Sequence, residues 1–186
     1  QVTATTLDEL IPKSSLVPLP WVLKVLGFAH KTDVGGVALG LRSKEELQAV
    51  VERFPPSEQG LLLEEYVQGA VAELLVGICR DESGVLVLTL AAGGIYTELF
   101  GDSAHLLLPV QPLQIKAALE SLRVGSLLTG YRGKPAANWE SIIGAIEAIC
   151  AYAIDHREQL VGLDVNPLLV TPDRSVAVDA MIELCS

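Results

Sequence analysis

The sequence predicts an α+β fold made of two lobes with mainly antiparallel sheets. Strand-like runs follow one another directly over residues 61–90, while helical periodicity is confined to a few separate segments. Strands grouped with strands favour α+β over a doubly wound parallel sheet. The chain has 186 residues, of which 50% are hydrophobic, so it can bury a sizeable core as one domain or two packed lobes.

The N-terminal lobe is expected over residues 1–60. Residues 21–26 form a β-rich run between a proline and a glycine, and residues 37–41 form a second strand after a polar loop. Ser43 opens a capping box, so a helix should run to about residue 54, where two prolines follow.

The C-terminal lobe is expected over residues 61–186. Its predicted strands are residues 61–67, 70–79, 85–90, 95–100 and 106–109. Residues 112–122 have helical periodicity, and Asn138 is a suitable N-cap for a second helix with an isoleucine-rich stripe.

The last segment predicts a hairpin that carries acidic side chains. Asp164 and Asn166 stand two residues apart on one strand and therefore share a face. Residues 171–175 read as the turn, and counting outward from it places Asn166 opposite Asp179, with Asp164 diagonally beside them. Hard oxygen ligands of this kind suit Mg²⁺ that bridges to phosphates. The alternative is a polar, solvated face without a metal.

Lys24 interrupts the first buried strand, and a buried ammonium group needs compensation. A bound phosphate would compensate it, whereas a lysine at a sheet edge would extend to solvent. Gly35 and Gly36 follow a polar loop and can present backbone N–H groups to phosphate, but they lack the spacing of a Walker P-loop, so these two residues alone favour an ordinary turn.

Three further side chains are candidates for phosphate or nucleotide chemistry. His30 lies in the loop before the glycines, and histidine can carry a phosphoryl group; the alternative is an exposed loop residue. Glu64 and Glu65 interrupt an apolar strand, so they must face opposite sides. Either accepts hydrogen bonds from a ribose or simply faces water.

Composition excludes several classes of protein. A formal charge of −10 argues against binding to nucleic acid or to an anionic membrane. The three cysteines are widely spaced and lack CxxC geometry, which favours a reducing cytoplasm over a disulfide framework or a zinc site.

No apolar stretch reaches membrane length and no signal peptide opens the chain. A start at Gln1 without Met indicates a fragment or a processed product. The commonest hydrolase, zinc-protease and Rossmann motifs are missing, which leaves phosphate chemistry.

Several ordered motifs together resemble one family. They are VLKV around Lys24, HKTDVGGV from His30, LLLEEYV from Leu61, AELLVG around Glu73, AAGGIYTEL from Ala91, LLTGYRG ending at Gly133, LDVNPL from Leu163 and VAVDA around Asp179. From about Pro20 to Glu183 the chain resembles the ATP-grasp domain of the nucleoside-diphosphate-forming (ADP-forming) acyl-CoA synthetases, which are related to the succinyl-CoA synthetase β subunit.

The resemblance implies an ATP-grasp fold with the nucleotide site between its two lobes. It implies that Lys24 contacts ATP phosphates, and that His30 carries a phosphoryl group between a partner phosphohistidine and the nucleotide. The hinge that meets adenine and ribose would be formed by Glu64, Glu65, Tyr66 and Val67. The Mg²⁺ ligands would be Asp164, Asn166 and Asp179. Gly35, Gly36, Glu73 and the turn at Gly93 and Gly94 also match family positions.

The resemblance further implies partners: CoA-binding and CoA-ligase domains, or a subunit that carries them. Two departures stand out. The helix that usually precedes the first strand is expected to be absent or truncated, and Leu106 replaces a usual arginine, which could weaken ATP binding. Two other functions stay open: a regulatory, non-catalytic domain of a protein lysine acetyltransferase, and a structural subunit-interaction domain.

Overall fold

A computed structural model describes residues 1–28, 34–94 and 101–185. These residues form two compact units, Gln1–Gln68 and Gly69–Ser186. The boundary expected after residue 60 is wrong, because the strand Leu61–Glu65 pairs within the sheet of the first unit.

The first unit contains a four-stranded sheet and short helices. Its strands are β1 (Val2–Ala4), β2 (Trp21–Val25), β3 (Val37–Leu41) and β4 (Leu61–Glu65), in the spatial order β1-β4-β2-β3. Every neighbouring pair is antiparallel. The helices are α1 (Leu7–Lys13), followed by a 3₁₀ turn (Ser14–Leu16), and α2 (Lys44–Val51).

A helix of seven residues does precede the first predicted strand, so of the two expected alternatives, an absent or a truncated helix, absence is wrong. The Thr6 hydroxyl accepts a hydrogen bond from the Glu9 N–H at 3.4 Å and caps α1. Leu10 anchors α1 with 0% of its surface exposed. Only one apolar side chain of α1 is fully buried, and Pro12 lies inside the helix, which explains why the sequence pattern was too weak to predict it.

Helix α2 begins at the predicted cap and ends earlier than expected. The Ser43 hydroxyl accepts a hydrogen bond from the Glu46 N–H at 3.2 Å, and the Glu46 carboxylate accepts one from the Arg42 N–H at 2.8 Å. The helix ends at Val51, three residues before the predicted end at Phe54. The core of the first unit lies between this helix layer and one face of the sheet; its members include Leu10, Trp21, Leu23, Leu47, Leu61 and Leu63.

The second unit contains a six-stranded sheet. Its strands are β5 (Ala72–Arg80), β6 (Leu86–Ala92), β7 (Ser103–Leu107), β8 (Leu160–Val170), β9 (Ser175–Ala177) and β10 (Ala180–Leu184). The order is β10-β8-β5-β6-β7, with β9 also paired to β8, and all pairs are antiparallel. The helices are α3 (Pro112–Ser121), α4 (Gly125–Leu128) and α5 (Trp139–Asp155).

Helices cover one face of this second sheet. Buried side chains alternate with more exposed ones along β5 and most of β6. The core between sheet and helices includes Leu74, Val76, Ile78, Leu88 and Leu90 from the strands and Ile142 and Ile146 from α5. Gly77, Thr89 and Asp164 lie in register on the opposite face, which we call the open face. Strand β7 begins at Ser103, three residues before the predicted start, and the strand predicted over residues 95–100 lies outside the described residues.

All three cysteines are free, as the sequence predicted: Cys79 and Cys185 are exposed and Cys150 is buried. Burial raises the pKa of the Cys150 thiol to about 11, so this cysteine serves packing rather than chemistry. No helix in the described part of the chain is both long enough and apolar enough to cross a membrane.

Candidate functional site

The acidic hairpin has the predicted register. Val170 pairs with Ser175 next to the turn. Counting outward, the Asn166 N–H donates a hydrogen bond to the Asp179 carbonyl at 3.2 Å, and Asp164 pairs with Met181 two positions further on. Asn166 on β8 and Asp179, which lies between β9 and β10, therefore face each other, as the alternation of strand side chains predicted.

The tip of the hairpin is fastened to the N-terminus of α5. The Asn138 side-chain amide donates to the Asp173 carbonyl at 3.0 Å, and the Asn138 N–H donates to the Thr171 carbonyl at 3.0 Å. The Ser175 N–H donates to the Ser141 hydroxyl at 2.6 Å. These bonds hold the hairpin against α5, and so they position strand β8, which carries Asp164 and Asn166.

The surroundings of Asp164 disfavour the charge on its carboxylate. Its Cα partner on β5 is Gly77, where an added Cβ would lie 3.6 Å from Asp164 Oδ1. Burial raises the pKa of the Asp164 carboxyl, and the nearby charge of Asp179 raises it further. Burial and the charge of Asp179 both make two ionised carboxylates without a counter-ion unfavourable, and a cation between Asp164 and Asp179 would offset both.

Asn166 is held by a glycine turn that follows β6. The Gly94 N–H donates to Asn166 Oδ1 at 3.0 Å, and the Gly93 N–H donates to the Glu73 carbonyl at 2.8 Å. A Cβ on Gly94 would collide with a Glu73 carboxylate oxygen, and a Cβ on Gly93 would lie 2.7 Å from the carbonyl carbon of Leu74. The turn therefore lies flat on β5, with the Glu73 carboxylate beside Gly94.

The donor set of this metal half-site, which consists of Asp164, Asn166 and Asp179, fits Mg²⁺. It offers two carboxylates and one amide oxygen, which are hard ligands, and Mg²⁺ usually completes its shell with water and phosphate oxygens. Within residues 1–28, 34–94 and 101–185, no group of three or more His, Cys, Asp or Glu side chains is placed to hold a metal ion. The half-site thus suits a cation that arrives with a phosphate better than a permanently caged one.

Lys24 of the first unit forms an ion pair with Glu64. The Lys24 Nζ lies 2.7 Å from Glu64 Oε2, and the two side chains are 10% and 17% exposed. Strand β2 lies between β3 and β4, so Lys24 is not at a sheet edge and the snorkelling alternative is wrong. A carboxylate compensates the buried ammonium group, and Glu64 is the residue that supplies it.

The predicted hinge consists of Glu64 and the three residues that follow it. Glu64 pairs with Val22 and Glu65 with Trp21, so the two carboxylates face opposite sides of the sheet, as predicted. The hinge residues that follow are Tyr66, whose N–H donates to the Pro20 carbonyl at 2.7 Å, and Val67, which is 8% exposed.

The glycine pair divides into two different roles. Gly35 is exposed with φ +68°, the left-handed conformation that favours glycine in a turn. Gly36 is buried, and its carbonyl accepts a hydrogen bond from the Val25 N–H at 2.8 Å, which prolongs the β2–β3 ladder. His30, the predicted phosphoryl carrier, lies outside the described residues.

The comparison with family models decides the classification, because the model of an ATP-grasp domain matches residues 1–184. The chain belongs to the ATP-grasp domain family. The match begins at residue 1, so it includes the segment before β2, whereas the resemblance in sequence motifs began only at about Pro20.

This ATP-grasp domain also has relatives of known name. Acetate–CoA ligase [ADP-forming] II of Archaeoglobus fulgidus is 28% identical over 183 residues, which cover 95% of this chain and 26% of that protein. The β subunit of acetate–CoA ligase [ADP-forming] I of Pyrococcus furiosus is 23% identical over 187 residues, which cover 95% of this chain and 80% of the subunit. The domain therefore spans about a quarter of the first relative.

Solved structures agree with the same fold. Acetyl-coenzyme A synthetase 1 of Candidatus Korarchaeum cryptofilum, in complex with coenzyme A, Ca-AMPCP and HgCl⁺, has a TM-score of 0.90 at 29% identity, over 99% of this chain and 84% of that one. The same enzyme with coenzyme A and Mg-AMPPCP, its phosphohistidine segment pointing towards the nucleotide binding site, has a TM-score of 0.85 at 30% identity, over 99% and 85% of the two chains. The predicted α+β ATP-grasp fold and the resemblance to ADP-forming synthetases are confirmed.

Two aspects of the ATP-grasp domain differ from the sequence reading. Leu106 pairs with Leu88 and packs against the core on the helix-covered face, opposite to Asp164, so it does not lie beside the metal half-site. Gly77 was not predicted as a site residue, and the turn at Gly93 and Gly94 was matched to the family without a role. A glycine inside a strand pattern signals close approach of another group, and this signal was present at Gly77.

Proposed function

We propose that this ATP-grasp domain binds Mg·ATP or Mg·ADP and passes a phosphoryl group between the nucleotide and a histidine. The observation that carries the proposal is the convergence of Asp164 and Asn166 on β8 with Asp179 between β9 and β10, where two nearby carboxylates repel each other and a cation would relieve the repulsion. Support comes from the 30%-identical Korarchaeum structure, which holds Mg-AMPPCP.

The metal half-site, Lys24 and the hinge residues each have a defined role in this proposal. The two carboxylates and the Asn166 oxygen would hold Mg²⁺, which supplies positive charge to the phosphate oxygens when bound. Lys24 donates hydrogen bonds to phosphate oxygens, and the carboxylate of Glu64 compensates its buried ammonium group. The hinge residues Glu65, Tyr66 and Val67 meet adenine and ribose through backbone and side-chain polar groups.

His30 is the proposed carrier of the phosphoryl group. In the direction of ATP synthesis, an oxygen of the ADP β-phosphate forms a bond to phosphorus while the bond from phosphorus to the His30 imidazole nitrogen breaks, and the imidazole keeps the electron pair. The reverse transfer returns the phosphoryl group to His30 and releases ADP.

The complete reaction requires partners. We propose that CoA-binding and CoA-ligase domains, or a subunit that carries them, make acyl-CoA from a carboxylic acid and CoA through an acyl phosphate, with this domain as the nucleotide module. The relatives support this arrangement, because one is a β subunit and another is a protein about four times longer than the matched region. A reducing, cytoplasmic location is part of the proposal and is consistent with three free cysteines.

Calorimetric titration with ADP in the presence and absence of Mg²⁺ tests the binding half of the proposal. Asp179→Asn should lower the Mg·ADP affinity about 10- to 100-fold, since a charged ligand contact is worth roughly 1.5–3 kcal/mol. Asp173→Asn is the matched control: it makes the same charge change in the same hairpin, at the exposed turn. Equal affinities for the two variants would contradict the metal half-site, and no binding by the unchanged protein would favour a structural domain.

Phosphoryl transfer is tested by incubation with [γ-³²P]ATP and Mg²⁺, followed by detection of acid-labile, base-stable label. We expect label on the unchanged protein and none on His30→Ala. Equal labelling of His30→Ala would remove His30 from the mechanism. Nucleotide binding without any labelling, in the presence of a CoA-ligase partner, would favour the regulatory acetyltransferase reading.

A further inference from the structure

The glycine turn at Gly93 and Gly94 lies against the metal half-site without contributing any side chain. Its two N–H groups are both committed: Gly93 donates to the Glu73 carbonyl at 2.8 Å and Gly94 donates to Asn166 Oδ1 at 3.0 Å. One end of the turn is therefore bonded to β5, and the other end is bonded to a proposed metal ligand on β8.

The bond from Gly94 determines which way the Asn166 amide points. A backbone N–H can only donate, so it is the oxygen of the Asn166 side chain, and not its nitrogen, that lies at Gly94. A carbonyl oxygen has two lone pairs, and one of them stays free for a cation. Without Gly94, the amide has no such constraint and its nitrogen, which repels a cation, can occupy the same place.

A side chain at either glycine would meet β5. Gly94 has φ +65°, and a Cβ there would collide with a Glu73 carboxylate oxygen. A Cβ on Gly93 would lie 2.7 Å and 2.8 Å from the carbonyl carbon and oxygen of Leu74, which are backbone atoms that cannot turn aside. Glycine at both positions lets the turn lie against β5 within hydrogen-bond reach of Asn166.

We propose that Gly94 is a positioning residue of the metal half-site: its N–H holds the Asn166 oxygen in the orientation that binds Mg²⁺. This inference rests on the proposed function, because it assigns Asn166 to a metal that arrives with the nucleotide. It adds a residue that acts through Asn166 and never touches the metal, the nucleotide or the phosphoryl group.

The variant Gly94→Ala tests the inference, with Gly84→Ala as the matched control. Gly84 has φ +84° and open space around it, so its replacement carries the same backbone strain far from the half-site. Both variants should lose stability in thermal denaturation because both place Ala at a positive φ, and Gly94→Ala should lose at least as much as Gly84→Ala. Only Gly94→Ala should lose affinity for Mg·ADP, by about tenfold, the worth of a hydrogen bond to a cation-binding group. Its affinity for ADP in EDTA should be unchanged.

A double-mutant cycle with Asn166→Ala separates positioning from a merely structural effect. If Gly94 acts through Asn166, Gly94→Ala should cost no further Mg·ADP affinity in the Asn166→Ala background. In addition, the Gly94 amide resonance of the metal-free protein should move upfield in Asn166→Ala, because its hydrogen bond is lost, while the Gly84 resonance stays in place.

The outcomes separate this inference from the function on which it rests. If the unchanged protein shows no Mg²⁺-dependent gain in ADP affinity, the proposed function fails and the inference fails with it. If that gain is present but Gly94→Ala matches Gly84→Ala, or if its loss adds fully to that of Asn166→Ala, the inference alone is overturned.

Discussion

Replacement of Asp164 by Asn should change stability and nucleotide affinity in opposite directions. Asp164 lies half-buried beside Gly77, with the charge of Asp179 nearby, and both circumstances disfavour its ionised form. Asn has nearly the same shape and no charge. The nucleotide-free protein should therefore gain stability at pH 7, while the Mg·ADP complex loses an anionic ligand.

The expected gain is small because Asp164 remains partly exposed to solvent. Charge pairs with this degree of exposure contribute about 0–1 kcal/mol, so we expect Asp164→Asn to add roughly 0.5 kcal/mol. For a chain of this length, that gain raises the melting temperature by about 1–2 °C. The affinity for Mg·ADP should fall by about tenfold or more, the worth of a charged ligand contact.

The pH dependence has a definite sign. The pKa of Asp164 in the folded protein lies above its ordinary value of 3.8, so the folded state keeps this proton to higher pH than the unfolded chain does. The nucleotide-free protein therefore loses stability as the pH rises from 3.8 through the raised pKa. The advantage of Asp164→Asn should be full above that window and vanish below pH 3.8, where both forms are neutral.

Scanning calorimetry of the nucleotide-free protein between pH 3.5 and pH 8 measures this difference directly, with Asp173→Asn as the control for loss of one exposed charge. A lower melting temperature for Asp164→Asn than for the unchanged protein at pH 7 would refute the electrostatic reasoning. An unchanged Mg·ADP affinity would remove Asp164 from the half-site.

Other predictions concern the stability of the two units. Lys24→Met should cost about 3 kcal/mol in urea denaturation, because it leaves the Glu64 charge buried, and the double variant with Glu64→Leu should recover most of it; additive losses would argue against the pair. Gly93→Ala should lower the melting temperature strongly, since its Cβ would lie 2.7 Å from the Leu74 carbonyl carbon; a loss under about 1 kcal/mol would show that the turn can move. Gly144→Ala, in the exposed interior of α5 with open space around it, should stabilise by up to about 1 kcal/mol; a loss would contradict the helix geometry.

Local patterns were sufficient to predict much of the fold. The sequence was enough to predict that Asn166 lies opposite Asp179, because the turn between them has an even number of residues and strand side chains alternate between the two faces. The cap at Ser43 and the strand over Val37–Leu41 were likewise decided by residues within a few positions. Features of this kind need no knowledge of distant parts of the chain.

Long-range pairing accounts for what the sequence did not predict. The unit boundary depends on β4 pairing with β1, whose residues lie about sixty positions earlier, and no local signal reports that pairing. The partner of Lys24 could not be named from the sequence, because Glu64 reaches it diagonally across the β2–β4 ladder. The contact between Gly94 and Asn166 joins residues 72 positions apart.

The central claim, that the hairpin cluster holds the metal of a bound nucleotide, is tested most directly by NMR with Mn²⁺ in place of Mg²⁺. When substoichiometric Mn²⁺ is added to the ADP-saturated protein, the amide resonances of Asp164, Asn166 and Asp179 should broaden first, and that of Asp173 at the hairpin tip should broaden later. Broadening that begins elsewhere in the second unit, while these three resonances stay sharp, would contradict the account.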